Sequence, residues 1–380
     1  MSKLSSANAD IIVIGAGIVG ASCAHRLAAQ GYRILLLDNA SPSATAAGMG
    51  HLVCLDDSPA ELALCHYSIA QWRSLASGLS DDCAWRGCGT LWLASGPDDM
   101  AIAETKRAIL AGLGIETRLF SPGQVAQQEP MLRPELAGGL LVPGDAIVYA
   151  PNAARWLIRR NAENITLRQA TVVSLDGTGV LLDDGSALSA PAVVLANGIQ
   201  AKQLLPELPL RTKKGHIVIT DRYPPRVHHQ LVELGYAASA HASDGTSVAF
   251  NVQPRPTGQL LIGSSRQFDD GDPSVNLPVL RQMLRRAQSF LPALGEMTAL
   301  RSWTGFRAAS PDGLPLLGAH PQRPGLWLAV GHEGLGVTTS LGSADLLCAL
   351  IQSHSAPFDP GPYLASRFLT PRQNWKGETP

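Results

Sequence analysis

The sequence has almost no net charge and no cysteine spacing that is typical of a metal site. Its 30 basic and 31 acidic residues give a formal net charge of -1, without long runs of one sign. That balance argues against a nucleic-acid-binding surface or an electrostatic membrane patch. The six cysteines include no C-x-x-C pair and no Cys/His cluster with zinc or iron–sulfur spacing. We predict no metal site and buried, reduced thiols, with a redox pair of Cys83 and Cys88 as the alternative.

Internal repeats and low-complexity tracts are absent from the sequence as well. The apolar run at 11–14 stops at Gly15, which is too short for a membrane span, and MSKLSSANAD is a poor signal peptide. With 45% hydrophobic and 16% charged residues, 380 residues can form a large core in about two domains. We expect a cytoplasmic protein, and attachment to a membrane through a partner is the alternative.

The first clear motif is the stretch DIIVIGAGIVGASCAHRLAAQGYRILLLD, residues 10–38. A β-branched run at 11–14 predicts a buried parallel strand, a helical pattern reaches Gln30, and a second strand is predicted at 33–37. Between the first strand and the helix, G-x-G-x-x-G allows a tight turn, a close approach of the backbone to a pyrophosphate and close helix packing. The helix start offers N–H groups and a positive dipole to phosphate. The unit therefore predicts dinucleotide binding.

The identity of the dinucleotide depends on the residues beyond this unit. Asp38 is placed to accept from a ribose hydroxyl, which disfavours NADP but does not separate NAD from FAD. A small-residue loop, NASPSATAAGMGHLV, comes next, where an NAD enzyme would usually proceed into another βαβ unit. Near the C-terminus, residues 326–330 predict a strand, followed by a glycine-rich turn and an apolar helix to Ile351. A second helix start behind glycines can also bind the cofactor.

In these motifs, the chain resembles the FAD-dependent amine and amino-acid oxidoreductases of the D-amino-acid oxidase superfamily. The first glycine turn, the SATAAGMG loop and the GHEGLGVT turn carry the resemblance, which spans about residues 10–369. The AAGMGHLV and GHEG forms are most similar to D-hydroxyproline dehydrogenases and to the flavin subunits of opine dehydrogenase and hydrogen cyanide synthase. The resemblance implies an α/β fold, in α+β two-domain form, with a Rossmann-like FAD-binding domain and a mixed-sheet substrate domain.

The resemblance and the motifs together give the predicted FAD contacts. Strands at 170–175 and 192–198 match family strands that pass the cofactor, and the absence of cysteine from 301–318 favours noncovalent FAD. The predicted contacts are Gly15, Ala16, Gly17, Ile18, Val19, Gly20, Asp38, Asn39, Ala46, Ala47, Gly48, Met49, Gly50, His51, Val173, Ala196, Asn197, Gly198, Gly305, Arg307, Gly331, His332, Glu333, Gly334, Leu335, Gly336, Val337 and Thr338.

The reaction that the resemblance implies is hydride transfer from the α-carbon of an amino or imino acid to flavin N5. Arg307 is the first candidate for the substrate carboxylate, because a guanidinium binds a carboxylate through two parallel bonds; a salt bridge between domains is its alternative. His51, His332 and Glu333 are candidates for substrate positioning, flavin electrostatics or an ammonium contact. Tyr236, Asn251 and Tyr149 are further pocket candidates, each with simple packing as its alternative.

Three functions stay open at this point. The leading one is a dehydrogenase of a D-amino or cyclic imino acid, with D-hydroxyproline as substrate. An oxidase that passes electrons from glycine, sarcosine or a D-amino acid to oxygen is the close alternative. A flavin subunit that needs partner chains, within a homo- or hetero-oligomer, is the third. An aromatic hydroxylase is disfavoured, because GHEG stands where its Gly-Asp-Ala motif is expected.

The domain organisation is predicted from the same family resemblance. The FAD-binding domain is expected to comprise 1–85, 146–214 and 307–370, and the substrate domain 86–145 and 215–306, with a loose tail at 371–380. Lys214-Gly215-His216 is expected at a crossover between them, where many relatives have Arg-Gly-Gln. Alternating and apolar patterns predict strands at 89–94, 139–142, 216–221, 247–253 and 259–264 and a helix at 277–291.

Overall fold

A computed structural model of the chain describes residues 5–6, 8–54, 58–235 and 245–369. The strands are β1 Ser5–Ser6, β2 Ile11–Ile14, β3 Ile34–Asp38, β4 His51–Leu52, β5 Thr90–Ala94, β6 Arg118–Phe120, β7 Gly138–Val142, β8 Ala146–Ile147, β9 Ile165–Gln169, β10 Val172–Asp176, β11 Gly179–Leu182, β12 Ala187–Ser189, β13 Ala192–Leu195, β14 Arg211–Thr220, β15 Gln230–Glu233, β16 Thr246–Pro254, β17 Leu260–Phe268, β18 Ala299–Ala309, β19 Leu316–Ala319 and β20 Leu326–Val330.

The α-helices of the same described ranges cover the sheets. They are α1 Ile18–Ala29, α2 Ala44–Ala47, α3 Pro59–Leu75, α4 Pro97–Gly112, α5 Pro122–Gln128, α6 Ala150–Arg159, α7 Ala201–Leu204, α8 Leu277–Phe290, α9 Gly336–Ile351 and α10 Ser366–Leu369.

Two large sheets organise the fold. The first has six strands in the order β19-β20-β13-β2-β3-β9, all parallel except the β19–β20 pair. The second has eight strands in the order β18-β14-β17-β16-β15-β5-β7-β6, and its pairs are antiparallel except β15 with β5. Sheets of four (β1-β12-β11-β10) and two (β4-β8) strands complete the mixed α/β architecture.

The six-stranded sheet is buried on both faces, which explains the β-branched run that begins it. Ile11 and Val13 pack toward α1 and α9, whereas Ile12 and Ile14 pack into the cluster on the opposite face. All four side chains are at most 4% exposed. Alternate side chains of a strand point to opposite faces, so only a continuous apolar run can serve a sheet that is covered on both sides.

Helix α9 is the core helix of this region. Together with the turn before it, it is long and apolar enough to cross a membrane by length and composition alone. It packs against α1 and α3, however, and its buried residues include Leu341, Leu346 and Leu347. Its apolar character is therefore explained by burial inside the protein.

Most predicted elements are present, and the clearest difference concerns the strand after Lys214. The strand predicted at 216–221 begins earlier, as the continuous strand β14, Arg211–Thr220, so Lys214-Gly215-His216 lies inside a strand. Its place at a crossover between domains stays a prediction. The apolar pattern predicts a start at residue 216 because the charged residues Arg211 and Lys213 interrupt it. The tail at 371–380 lies outside the described residues. The two-domain division stays a prediction.

Asp145, between β7 and β8, gives the fold a pH dependence. Its side chain is buried, and its Oδ1 accepts a hydrogen bond from the Cys54 N–H at 3.3 Å. Burial raises its pKa to about 7, although the hydrogen bonds with Thr90 and Cys54 act to lower the pKa. The folded state therefore holds this proton more tightly than the unfolded chain does. Protonated Asp145 makes its full contribution to the free energy of unfolding below the ordinary Asp pKa, and this contribution is lost as the pH rises through about 7.

We expect Asp145→Asn to stabilise the protein at alkaline pH, because it removes the buried charge. The gain in unfolding free energy should grow from near zero at about pH 4 to at most about 4 kcal/mol at about pH 8. Urea unfolding across this range measures it, with the exposed Asp176 changed to Asn as control. Parallel pH profiles of wild type and Asp145→Asn would contradict the assignment.

Candidate active site

The first glycine turn joins β2 to α1 through a very close backbone contact. Gly15 has φ +101°, and a Cβ at this position would lie 2.7 Å from the Ala196 carbonyl oxygen. A Cβ at Gly20 would lie 1.8 Å from the Gly15 carbonyl oxygen. The predicted reasons for Gly15 and Gly20 are confirmed: one permits the turn, and the other lets α1 pack against it.

Side chains from two other segments hold the start of α1. The Ile18 N–H donates to Thr45 Oγ1 at 2.9 Å, and the Ala16 N–H donates to Asp38 Oδ2 at 2.6 Å. Asp38 Oδ1 also accepts from the Ala40 N–H at 2.7 Å. A carboxylate has about four acceptor positions, so Asp38 can still accept from a ribose hydroxyl.

The second glycine turn lies beside the first. It follows β20, and its Gly331 and Glu333 have φ values of +82° and +48°. A Cβ on Gly336, at the start of α9, would lie 3.9 Å from Cγ2 of Val19 in α1. Two helix starts from opposite ends of the chain therefore lie side by side, as the sequence predicts, and offer two positive dipole ends to one anionic ligand.

One cavity extends from these turns to the face of the eight-stranded sheet. Most predicted site residues line it: Gly15, Gly17, Ile18, Val19, Asp38, Asn39, Ala47, Gly48, Met49, Gly50, His51, Ala196, Asn197, Gly198, Asn251, Gly305, Arg307, Gly331, His332, Glu333, Gly334, Gly336 and Val337.

Other predicted residues do not line the cavity. They are Ala16, Gly20, Ala46, Val173, Leu335 and Thr338. Val173 faces outward and is 48% exposed, whereas its neighbours Thr171 and Val172 line the cavity. Thr338 donates to the His51 carbonyl oxygen at 3.0 Å, so it supports a lining residue. Tyr149 is exposed and outside the lining, and Tyr236 lies outside the described residues.

Sequence reasoning missed several lining residues, of which Arg266 is the most informative. Thr45, Ser43, Ser264, Gln200 and Gln203 also line the cavity. Arg266 comes from β17 and is 5% exposed. The alternation along β17, which places Ser264 and Arg266 on one face, was the available signal; it needed knowledge of which face meets the cavity.

Arg307 is held over a glycine on the cavity face of the sheet. Its strand, β18, pairs with β14, and its Nη1 donates to the Ser265 carbonyl oxygen of β17 at 3.3 Å. The guanidinium therefore passes over Gly215 of the intervening strand, where a Cβ would lie 2.8 Å from Nη2. Gly215 thus makes room for Arg307, which explains the glycine of the Lys214-Gly215-His216 segment.

The neighbouring residues of that segment serve the structure on the other side of the sheet. Lys214 is buried and pairs with Asp270 at 3.0 Å. The His216 ring contacts Ser265 Oγ at 2.9 Å through Nδ1 and accepts from the Asn276 N–H at 3.0 Å through Nε2.

Glu333 is a carboxylate among cations. It pairs with Lys213 Nζ at 2.9 Å. Burial raises its pKa, but the charges of Arg307, Lys213 and Arg266 outweigh burial and lower the pKa to about 2. Glu333 is therefore engaged with lysine, and the three cations outnumber it at this end of the cavity. The other lining carboxylate, Asp38, lies at the first glycine turn. The local excess of positive charge around Glu333 attracts an anionic group of the substrate to this end of the cavity.

Both cavity histidines are neutral near pH 7. Burial lowers the pKa of His51 to about 4, and the charges of Arg255 and Arg307 also lower it, whereas the hydrogen bond to Gln230 Oε1 raises it. Burial alone lowers the pKa of His332 to about 3, and its Nε2 lies 3.1 Å from Ser343 Oγ. Neither imidazole carries a positive charge toward the substrate.

The cavity fits FAD. The two adjoining helix starts suit its pyrophosphate, Asp38 suits a ribose, and the loop that contains Gly48 presents little side-chain bulk. Asn197 Oδ1 is a buried acceptor without a hydrogen-bond partner among the described residues, and it lies at the end of β13 on the lining. A ligand with hydroxyl or N–H donors satisfies such an atom.

This arrangement of two glycine turns and a cationic sheet face defines an FAD-dependent oxidoreductase. The chain belongs to the FAD dependent oxidoreductase (DAO) family, whose model matches residues 10–350. The predicted family, fold class and FAD cofactor are thereby confirmed, and noncovalent attachment of FAD stays a prediction.

Individual relatives cover nearly the whole chain. Glycine oxidase of Geobacillus kaustophilus is 27% identical over an alignment of 379 positions that covers 95% of this chain and 97% of that protein. Its crystal structure superposes with a TM-score of 0.84 at 26% identity, covering 94% and 98% of the two chains. Hydrogen cyanide synthase subunit HcnC of Pseudomonas aeruginosa is 26% identical, covering 94% and 96%. An opine oxidase subunit of Rhizobium meliloti is 26% identical, covering 94% and 97%.

Proposed function

We propose that this oxidoreductase oxidises the C–N bond of a D-amino or cyclic imino acid, with D-hydroxyproline as its substrate. The observation that carries the proposal is Arg307, positioned over Gly215 at the end of the cavity where Arg307, Lys213 and Arg266 surround Glu333. Glycine oxidase, a relative over 95% of the chain, is named for an amino acid substrate. The AAGMGHLV and GHEG forms, whose His51 and His332 line the cavity, support the choice of hydroxyproline.

The substrate orientation follows from the charges. Arg307 binds the carboxylate through its planar fork. FAD, when bound, supplies the hydride acceptor for the α-carbon. Since Glu333 is paired with Lys213 and both histidines are weak bases, the chain offers no strong base at the cavity among the described residues. The substrate is therefore oxidised in its neutral amine form.

This proposal predicts that the pH dependence belongs to the substrate. The pKa values of His51, His332 and Glu333 are about 4, 3 and 2, so these groups do not titrate between about pH 5 and about pH 9. We expect kcat/KM to rise with pH up to the pKa of the substrate amine. Two substrates whose amine pKa values differ by about one should give midpoints that differ equally. A common midpoint would assign the titration to the enzyme and contradict the prediction.

A second candidate is a flavin subunit of a multi-subunit enzyme. Two of the relatives, HcnC and the opine oxidase chain of Rhizobium meliloti, carry the word subunit in their names. Co-purification of a second flavoprotein or iron–sulfur chain would support it. Full turnover of the isolated chain with an artificial acceptor would favour a self-sufficient enzyme.

Initial rates decide the substrate and the acceptor together. The panel comprises both epimers of 4-hydroxyproline, D- and L-proline, glycine and sarcosine, each with an artificial electron acceptor and with oxygen alone. We expect the highest kcat/KM with D-hydroxyproline and little peroxide in air. Preference for glycine or sarcosine, or stoichiometric peroxide, would favour the oxidase instead.

A further inference from the structure

A directed chain of hydrogen bonds begins at Gln230 in β15 and ends in the cavity. Gln230 is fully buried, and its Nε2 donates to the Ala146 carbonyl oxygen at 3.0 Å and to Thr90 Oγ1 at 3.2 Å. A carbonyl oxygen only accepts, so the Gln230 amide has one possible orientation, with Oε1 directed at His51.

The orientation of Gln230 determines the protonation of His51. His51 Nδ1 contacts Gln230 Oε1, which can only accept, and also lies 3.2 Å from Gln253 Nε2, which can only donate. The contact with Gln230 is the closer of the two, so Nδ1 carries the proton. The ring is neutral, because its pKa is about 4. Its Nε2 is therefore an acceptor, and Asn251 Nδ2 donates to it at 3.1 Å.

The same logic determines the orientation of Asn251. Because its Nδ2 is used by His51, its Oδ1 is the remaining group, and Oδ1 can only accept. Asn251 is 5% exposed and lines the cavity, and this buried oxygen has no hydrogen-bond partner among the described residues. A buried acceptor without a partner costs free energy that a ligand donor recovers.

Asn251 and Arg307 are a suitable distance apart for the two ends of an amino acid. Asn251 in β16 lies opposite Gly263 in β17, and the Arg307 guanidinium contacts Ser265, two residues further along β17. Adjacent strands are roughly 5 Å apart and two residues span roughly 7 Å, so the polar groups are separated by about one small ligand.

We propose that Asn251 Oδ1 is the acceptor for the substrate amine N–H, and that His51 and Gln230 are positioning residues that hold the amide in this orientation. The inference rests on the proposed function, in which Arg307 binds the carboxylate. It adds a specificity rule: primary and secondary amines are accepted, because their neutral forms keep an N–H donor. Neutral tertiary amines lack that donor and are rejected.

Two inert ring acids of similar shape test the inference without turnover. Pyrrole-2-carboxylate presents an N–H beside its carboxylate, whereas furan-2-carboxylate presents an oxygen there. Dissociation constants are measured on the holoenzyme from the change in the flavin absorption spectrum. In the wild type we expect pyrrole-2-carboxylate to bind roughly tenfold or more tightly than furan-2-carboxylate, because the furan leaves the acceptor unpaired and adds a second one.

The variants separate the roles. Asn251→Leu should abolish the preference, while Arg307→Ala should weaken both ligands and retain the preference. His51→Leu should reduce the preference for pyrrole-2-carboxylate although Asn251 is intact. Without His51, the Asn251 amide can rotate and direct its Nδ2 toward the cavity. A merely structural role of His51 would leave the ratio of the two constants unchanged.

Several outcomes would overturn the inference. Equal binding of the two acids by the wild type refutes the acceptor at Asn251 while leaving the carboxylate site intact. Failure of both acids to bind refutes the proposed function and the inference with it. An unchanged preference in Asn251→Leu, together with weaker FAD binding, would assign the oxygen to the cofactor.

Discussion

Replacing Arg307 by alanine is expected to raise the KM for the amino acid substrate by tens to thousands of fold. Removing one partner of a buried hydrogen-bonded charge pair costs roughly 2–5 kcal/mol, and each 1.4 kcal/mol is about tenfold. The substrate carboxylate would also lose one of the three cations that offset the charge of Glu333.

The conservative change Arg307→Lys should recover only part of the loss. A lysine ammonium restores the charge but not the two parallel bonds, and Ser265 would lose its planar donor. Arg301→Ala is the matched control, because Arg301 lies in the same strand and is exposed. A KM within about twofold of wild type in Arg307→Ala, less than roughly 0.5 kcal/mol, would remove Arg307 from the substrate site.

Changing Gly20 to alanine should weaken FAD binding roughly ten- to a hundredfold. The added methyl carbon would lie 1.8 Å from the Gly15 carbonyl oxygen, so α1 must move away from the turn that holds the pyrophosphate. Overpacking of this kind costs roughly 1–3 kcal/mol, and here the cost falls on the cofactor site.

Titration of the apoprotein with FAD, followed by flavin fluorescence, measures this effect. Gly112→Ala is the control: Gly112 is also helical, and a Cβ there meets nothing within 4 Å. Urea unfolding of both variants shows whether the chain still folds. An unchanged FAD dissociation constant in a folded Gly20→Ala protein would contradict the cofactor position.

The cofactor half of the site could be predicted from the sequence because its requirements are local. Gly15 and Gly20 lie within six residues of each other, and one strand–turn–helix unit explains both. The second turn needed only its own strand and helix, Leu326–Val330 and Gly336–Ile351. The family resemblance predicts that both turns approach one cofactor, but neither local pattern encodes the particular contact between Val19 and Gly336.

The substrate half depends on strand register, which a single sequence does not reveal. The requirement for glycine at position 215 is explained only by the position of β14 between Arg307 and Ser265. In the sequence, Arg266 cannot be distinguished from other charged strand residues, because only the structure shows that its face of β17 lines the cavity. The irregular pairing of β14 with β17 near Lys214 adds to the difficulty, because a shift of register changes which residues share a face.

The most direct test of the proposed chemistry is to mix the FAD-loaded protein with D-hydroxyproline in the absence of oxygen and record the flavin spectrum. We predict that the oxidised flavin is bleached by this compound, at a rate that saturates with its concentration. If the protein takes up FAD but is bleached by no amino or imino acid of the panel, the proposed chemistry of the Arg307 cavity is wrong.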